Sequence, residues 1–125
     1  MKVNIGYLCD ILAGMIEAQY WDNLQIEDYL GFIEDYQQVT ESQRDNDNRE
    51  NFRQELKRVL KAILNTPSLD YDEIFFQGAM HGLGSQDKAK RLFELIWRAF
   101  FGDEDWHDVN FSSAEVTIVD EPYSG

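Results

Sequence analysis

The segment that most constrains this chain is Gln86 to Phe101. Leu92, Phe93, Leu95, Ile96, Trp97, Ala99, Phe100 and Phe101 are apolar and, at ~3.6 residues per turn, cover nearly every side of a helix. Such a helix has to be wrapped by other elements, so it predicts a centre and obliges the rest of the chain to supply a shell. Ser85 is suited to cap its first turn, and Gly102 to finish it in the left-handed conformation.

The shell is legible as amphipathic stripes. Ile5, Leu8, Leu12, Met15 and Ile16 recur at spacings of three and four and predict a first helix over Ile5–Gln19. Tyr20 to Asn23 reads as a short connection, with Asp22 or Asn23 capping a second helix over Ile26–Val39. Thr40–Asn48 is a polar loop. Phe52, Leu56, Val59, Leu60 and Ile63 then mark a third helix to about Leu64, stopped by Asn65-Thr66-Pro67. Asp70 and Glu73 have capping-box spacing for a fourth helix through Ile74, Phe75, Phe76 and Met80, ended by Gly82 and Gly84. Ala114–Val119 alternates as a strand does, and Met1, Val3 and Ile5 alternate as well, which makes them its available partner within the chain. A chain of 125 residues suits one core. The expectation is a single domain over 1–125, mainly α, with about five helices in a compact bundle and a short C-terminal strand. The alternative is α+β, with a small sheet from residues 1–5 and 114–119.

Within the second helix one word is written twice, seven residues apart: Ile26-Glu27-Asp28-Tyr29 and Ile33-Glu34-Asp35-Tyr36. Seven residues are two helical turns, so each residue of the first copy lies over its counterpart in the second, ~10 Å along the axis. Ile26, Leu30, Ile33 and Val39 are expected to face the core, leaving Glu27, Asp28, Glu34 and Asp35 around exposed Tyr29 and Tyr36. Early acids also suit the positive end of a helix, which gives Glu27 and Asp28 a structural reason to be there.

The net charge of −13 is distributed unevenly. Residues 1–43 carry −7, 44–64 carry +2, 65–84 carry −3, 85–101 carry +2 and 102–125 carry −7. The two acidic blocks are interleaved with aromatics, the second through Asp103, Asp105 and Trp106. The third helix has Arg49, Arg53, Lys57 and Lys61 at four-residue spacing, an arrangement that a neighbouring acidic surface would relieve. A field of this sign repels nucleic acid and anionic membrane and attracts basic proteins. With 43% hydrophobic residues the chain is not disordered, and no apolar run is long enough to span a bilayer.

No motif for chemistry stands out. Cys9 has no internal disulfide partner and lies in an apolar run, which together with the lack of a signal-peptide pattern reads as a soluble, cytoplasmic protein. Gly82-Leu83-Gly84 follows a helix and has Asp87 where a dinucleotide fingerprint needs glycine. Asp103, Asp105 and His107 begin like a calcium loop, but Asp108 and Ala114 occupy its obligatory glycine and glutamate positions. Neither a metal nor an organic cofactor is expected. His81, at a helix C-terminus, is explained by the negative end of that helix.

A small, acidic, helical chain with carboxylates and tyrosines on one surface resembles the bacterial nuclease-toxin immunity proteins of the colicin and contact-dependent-inhibition types. The likeness is one of overall character, so residues are assigned from this chain's own pattern. It implies a non-enzymatic protein that binds and neutralises a basic partner, a toxin nuclease domain, without touching nucleic acid or membrane. The expected partner-binding residues are Glu27, Asp28, Tyr29, Glu34, Asp35, Tyr36, Asp103, Asp105 and Trp106. Acids would steer the encounter and the aromatics would anchor it. Two alternatives are a phage nucleic-acid mimic that inhibits a host defence enzyme, and an enzyme using His81 or His107 with a carboxylate.

Overall fold

The structure, a computed structural model, describes residues 1–123. The chain folds as a mainly α assembly of five α-helices with a two-stranded parallel sheet, counted among the described residues. Strand β1 (Lys2–Asn4) leads into α1 (Gly6–Leu12), which continues as a 3-10 helix over Ala13–Tyr20. A second 3-10 turn, Ile26–Tyr29, runs into α2 (Leu30–Val39), and a third covers Glu41–Gln43. Then come α3 (Asn46–Leu64), α4 (Tyr71–Ala79) and α5 (Gln86–Phe101), followed by a 3-10 turn at Ser113–Glu115 and strand β2 (Thr117–Val119).

The helix starts are set by local chemistry. Asp45 accepts from the Asn48 amide at 2.8 Å, Asp70 from Glu73 at 3.1 Å and Ser85 from Lys88 at 3.2 Å, each satisfying a donor that the first turn leaves without a carbonyl. Helix α5 is not wrapped on every side as expected but buries one face and leaves the other to solvent. Ala89, Leu92, Phe93, Ile96, Trp97 and Phe100 are buried against α2, α3 and α4, while Arg91 and Arg98 face solvent. Helix α1 packs on α3 and α4, and Phe52, Leu56, Leu60 and Ile63 of α3 fill the space between. Leu95, Ala99 and Phe101 are only partly buried, so α5 keeps one outer ridge. Among the described residues no helix is long and apolar enough to cross a membrane.

Three further expectations are corrected. The first helix is α only to Leu12; beyond it Met15 and Ala18 are buried three apart, a spacing that a 3-10 helix puts on one line, and Ile16 turns out to solvent. The second helix is not capped by Asp22 or Asn23. The Gln25 amide donates to Asp28 Oδ2 at 2.8 Å, while Asn23 takes a left-handed φ of 59° and turns the chain. The inward residues of the repeat are Ile26, Tyr29, Ile33 and Tyr36, at spacings of three, four and three, and Leu30 and Val39 are exposed. A tyrosine ring buries more apolar area than a leucine provided its hydroxyl finds a partner, and this core provides one.

The strand is shorter than Ala114–Val119, but its partner is the expected N-terminal segment. Lys2 pairs with Thr117, Val3 with Ile118 and Asn4 with Val119 in parallel register, joining the two ends of the chain. The Thr117 amide donates to the Met1 carbonyl at 2.7 Å and the Ile5 amide to the Val119 carbonyl at 2.8 Å.

Candidate functional site

Tyr29 and Tyr36 cannot anchor a partner: they are 4% and 7% exposed. Tyr29 meets Phe75 edge-on with centroids 6.2 Å apart, within the core. The Tyr36 hydroxyl donates to Asp10 Oδ2 at 2.6 Å and accepts from Arg44 Nη1 at 3.0 Å, while Arg44 Nη2 reaches the same carboxylate at 3.3 Å. The guanidinium lies over the Phe52 ring, 4.3 Å from its centroid. Tyr123, stacked on Tyr7 at 4.1 Å, closes the cluster from the C-terminal side. Three distant pieces of chain are thereby held together, and the group serves the fold.

Burial, reinforced by Asp10, pushes the phenols of Tyr36 and Tyr123 well above the ordinary tyrosine range, and burial pushes the Cys9 thiol up to about 11. A folded state that holds its protons more tightly than the unfolded chain is fully stabilised below the unfolded values and loses that stability as pH rises past them. Chemical denaturation between pH 7 and 11 is therefore expected to show stability falling from about pH 9 upward. Tyr36→Phe should cost about 1–2 kcal/mol at pH 7 and flatten that fall, because the residue no longer titrates.

The acids of the repeat fall in two elements, Glu27 and Asp28 in the 3-10 turn and Glu34 and Asp35 in α2. Glu27 accepts from Arg91 Nη2 of α5 at 3.0 Å. Asp35 lies in α2 three residues after Phe32, whereas Asp28, in the 3-10 turn before α2, accepts from the Gln25 amide. Glu34 and Asp35 are exposed. Phe32 carries Trp21 on its outer side at 5.1 Å between centroids and contacts Tyr29 beneath it at 5.9 Å. An aromatic column thus runs from the buried ring of Phe75 through Tyr29 and Phe32 to the surface, where Trp21 is 53% and Tyr20 79% exposed.

Tyr20, Trp21 and Phe32 are residues that sequence reasoning passed over. The available signal was an adjacent Tyr-Trp pair in a turn-rich connection, where no core stripe requires aromatics. The 3-10 helix ends at Tyr20, Trp21 is extended, and the left-handed Asn23 reverses the chain before Gln25, which together bring the indole beside α2.

The C-terminal acidic block is a pinned loop. Asn65, the residue that ends α3, donates to the Trp106 carbonyl at 2.8 Å and accepts from the Asp108 amide at 3.0 Å. Asp105, fully exposed, accepts from His107 through its amide at 3.0 Å and Nδ1 at 2.6 Å, and these bonds hold its carboxyl below the usual range. Trp106 is half-buried, stacked on His107 at 3.7 Å, with the Lys90 ammonium 5.6 Å from its ring centre. Asp103 is free to solvent on one side of the α5 ridge, and Glu94 and Arg98 of that ridge border both this loop and the hollow beside Glu27. The expected residues that reach the surface therefore do not form one patch but are divided between the repeat and the C-terminal loop.

Three of the four residues in the basic stripe of α3 are answered, though not by the repeat. Arg53 grips Glu41, Lys57 meets Glu104 at 2.5 Å, and Arg49 donates to the carbonyls of Glu41, Ser42 and Arg44. The acids of α2 are left for other uses. His81 lies at the end of α4 with Nδ1 2.8 Å from the Ala79 carbonyl and its ring edge-on to Phe75. Among the described residues no three His, Cys, Asp or Glu side chains are grouped to hold a metal ion. Compared with protein-family models, with curated proteins and with solved structures, the chain matches none.

Proposed function

We propose that this protein is a non-enzymatic, acidic binding protein that neutralises a basic partner, and that the partner is the nuclease domain of a bacterial toxin. The observation that carries the reading is the exposed Trp21 ring, backed by Phe32 of α2, with the exposed carboxylate of Asp35 three residues further along the same helix. An aromatic supported from below loses little conformational freedom on binding, and acids around it steer a basic surface into place. The net charge of −13 extends that steering over the whole molecule. Asp103, Asp105 and Trp106, beyond the α5 ridge, are assigned to the rim of the same encounter, while Tyr29 acts only by supporting Phe32 from within and Tyr36 serves the fold.

The test is inhibition of the toxin encoded by the gene immediately upstream. Purified protein is expected to abolish the nuclease activity of that product at a one-to-one ratio. Trp21→Ala should weaken the complex by about 2–4 kcal/mol, the range of interface hot spots, with its unfolding curve unchanged. Asp35→Ala should chiefly slow association, and the difference should shrink as salt is raised. Full nuclease activity in the presence of excess wild-type protein would sink the reading.

A further inference from the structure

The two edges of the small sheet are treated differently. Along β1, Met1 and Ile5 bond toward β2, so alternation in a parallel ladder turns the Lys2 peptide outward; its carbonyl is taken by Arg58 Nη2 of α3 at 3.0 Å. Along β2, Thr117, Val119 and then Glu121 bond inward, the last through its amide to Asn4 Oδ1 at 2.9 Å. The amides and carbonyls of Ile118 and Asp120 are therefore directed to the other side, where among the described residues no strand pairs with them.

Ile118 and Asp120 also line a groove of about 360 Å³ between β2 and α4. Its floor is apolar, from Ile5, Leu69, Ile74, Ile118 and Val119, and its rim carries Asp70, Glu73 and Asp120 with no lysine or arginine. A free strand edge beside a helix, over an apolar floor, is the arrangement that receives an extended peptide as an added strand. The rim selects among occupants. A second copy would bring the same carboxylates against themselves in a chain of net charge −13, whereas a segment alternating apolar and basic residues would fill the floor and meet the rim.

We infer that the open edge of β2 and the β2–α4 groove form a docking site for an extended polypeptide segment with alternating basic and apolar residues, bound by strand addition. The inference goes beyond the Trp21 interface and does not depend on it.

The full chain, isotopically labelled, is titrated with the end-capped heptapeptide Lys-Val-Lys-Val-Lys-Val-Lys and followed by amide NMR. Shifts are expected to centre on Ile118, Asp120 and the α4 residues Ile74 and Gln77. The same peptide with glutamate in place of lysine should leave these signals still. N-methylation of alternate peptide amides, which removes strand donors without changing charge, should weaken binding at least about tenfold. Glu73→Lys combined with Asp120→Lys should weaken it similarly, with folding checked from the dispersion of the remaining signals. Equal binding of the N-methylated peptide, or shifts confined to the acidic surfaces around Asp35 and Asp103, would overturn the assignment. So would shifts at Ile118 and Asp120 that follow protein concentration without peptide, since they would identify a second copy as the occupant. Trp21→Ala is expected to titrate as wild type, so this result is read separately from the nuclease assay.

Discussion

Replacing Arg53 by methionine is expected to lower the free energy of unfolding by about 3–5 kcal/mol, a large part of what a domain of this size possesses. Glu41 is 3% exposed, and its carboxylate is held on both oxygens, by Arg53 Nε at 3.1 Å and Nη2 at 2.5 Å. Methionine keeps most of the aliphatic stem but removes the guanidinium, which lies 5.4 Å from the Phe100 ring centre, and leaves a buried carboxylate without its cation. The loss belongs to the stranded charge, which a double variant can show. Glu41→Gln together with Arg53→Met removes both charges and should recover more than half of the stability, as measured by urea denaturation. A double variant no more stable than Arg53→Met alone would mean that packing of the arginine carries the effect.

Gly78→Ala is expected to destabilise by about 2 kcal/mol, although alanine is the better helix former by about 1 kcal/mol. Gly78 lies inside α4 where that helix crosses α1, and a Cβ built on it stands 2.6 Å from Leu12 Cβ and 3.0 Å from Cys9 Cα. The second of these is backbone, so the two helices would have to move apart over a close-packed contact. Gly31 provides the control within the same protein. It lies in α2 with nothing within 4 Å of an added Cβ, so Gly31→Ala should raise stability by about 0.5–1 kcal/mol. Thermal melts of the two variants should therefore move in opposite directions; equal shifts would show that propensity alone governs both sites.

Much of the fold was legible because it rests on local rules. Helix α5 matches its expected bounds, with Ser85 and Gly102 at its ends, because capping and period 3.6 both act within a few residues. The same holds for the end of α3 at Leu64 and for the start of α4 at Asp70, whereas α3 begins at Asn46, inside the expected loop, because Asp45 caps it. The strand was placed three residues too early, at Ala114 against Thr117, but its partner was visible because alternation at the other end of the chain left one candidate. What misled was the division of α2 into inside and outside. Hydrophobicity ranked Leu30 and Val39 above the tyrosines, whereas burial of Tyr36 depends on Asp10 and Arg44, brought from 26 residues before and eight after. That partnership has no local signature.

The candidate site shows the same boundary more sharply. By itself the sequence determined the charge, its gathering into two acidic blocks interleaved with aromatics, and the number and ends of the long helices, since each is a property of composition or short-range periodicity. Only the tertiary structure decided which aromatics reach solvent. A 3-10 segment and one left-handed asparagine carry Trp21 back over Phe32, while Tyr29 and Tyr36 turn inward to fill the space above Phe75 and Phe52. It also decided that Glu41 and Glu104, not the repeat, answer the basic face of α3. Which acids are spent inside the molecule and which remain for a partner depends on distances between helices far apart in the chain, and those distances are set by packing.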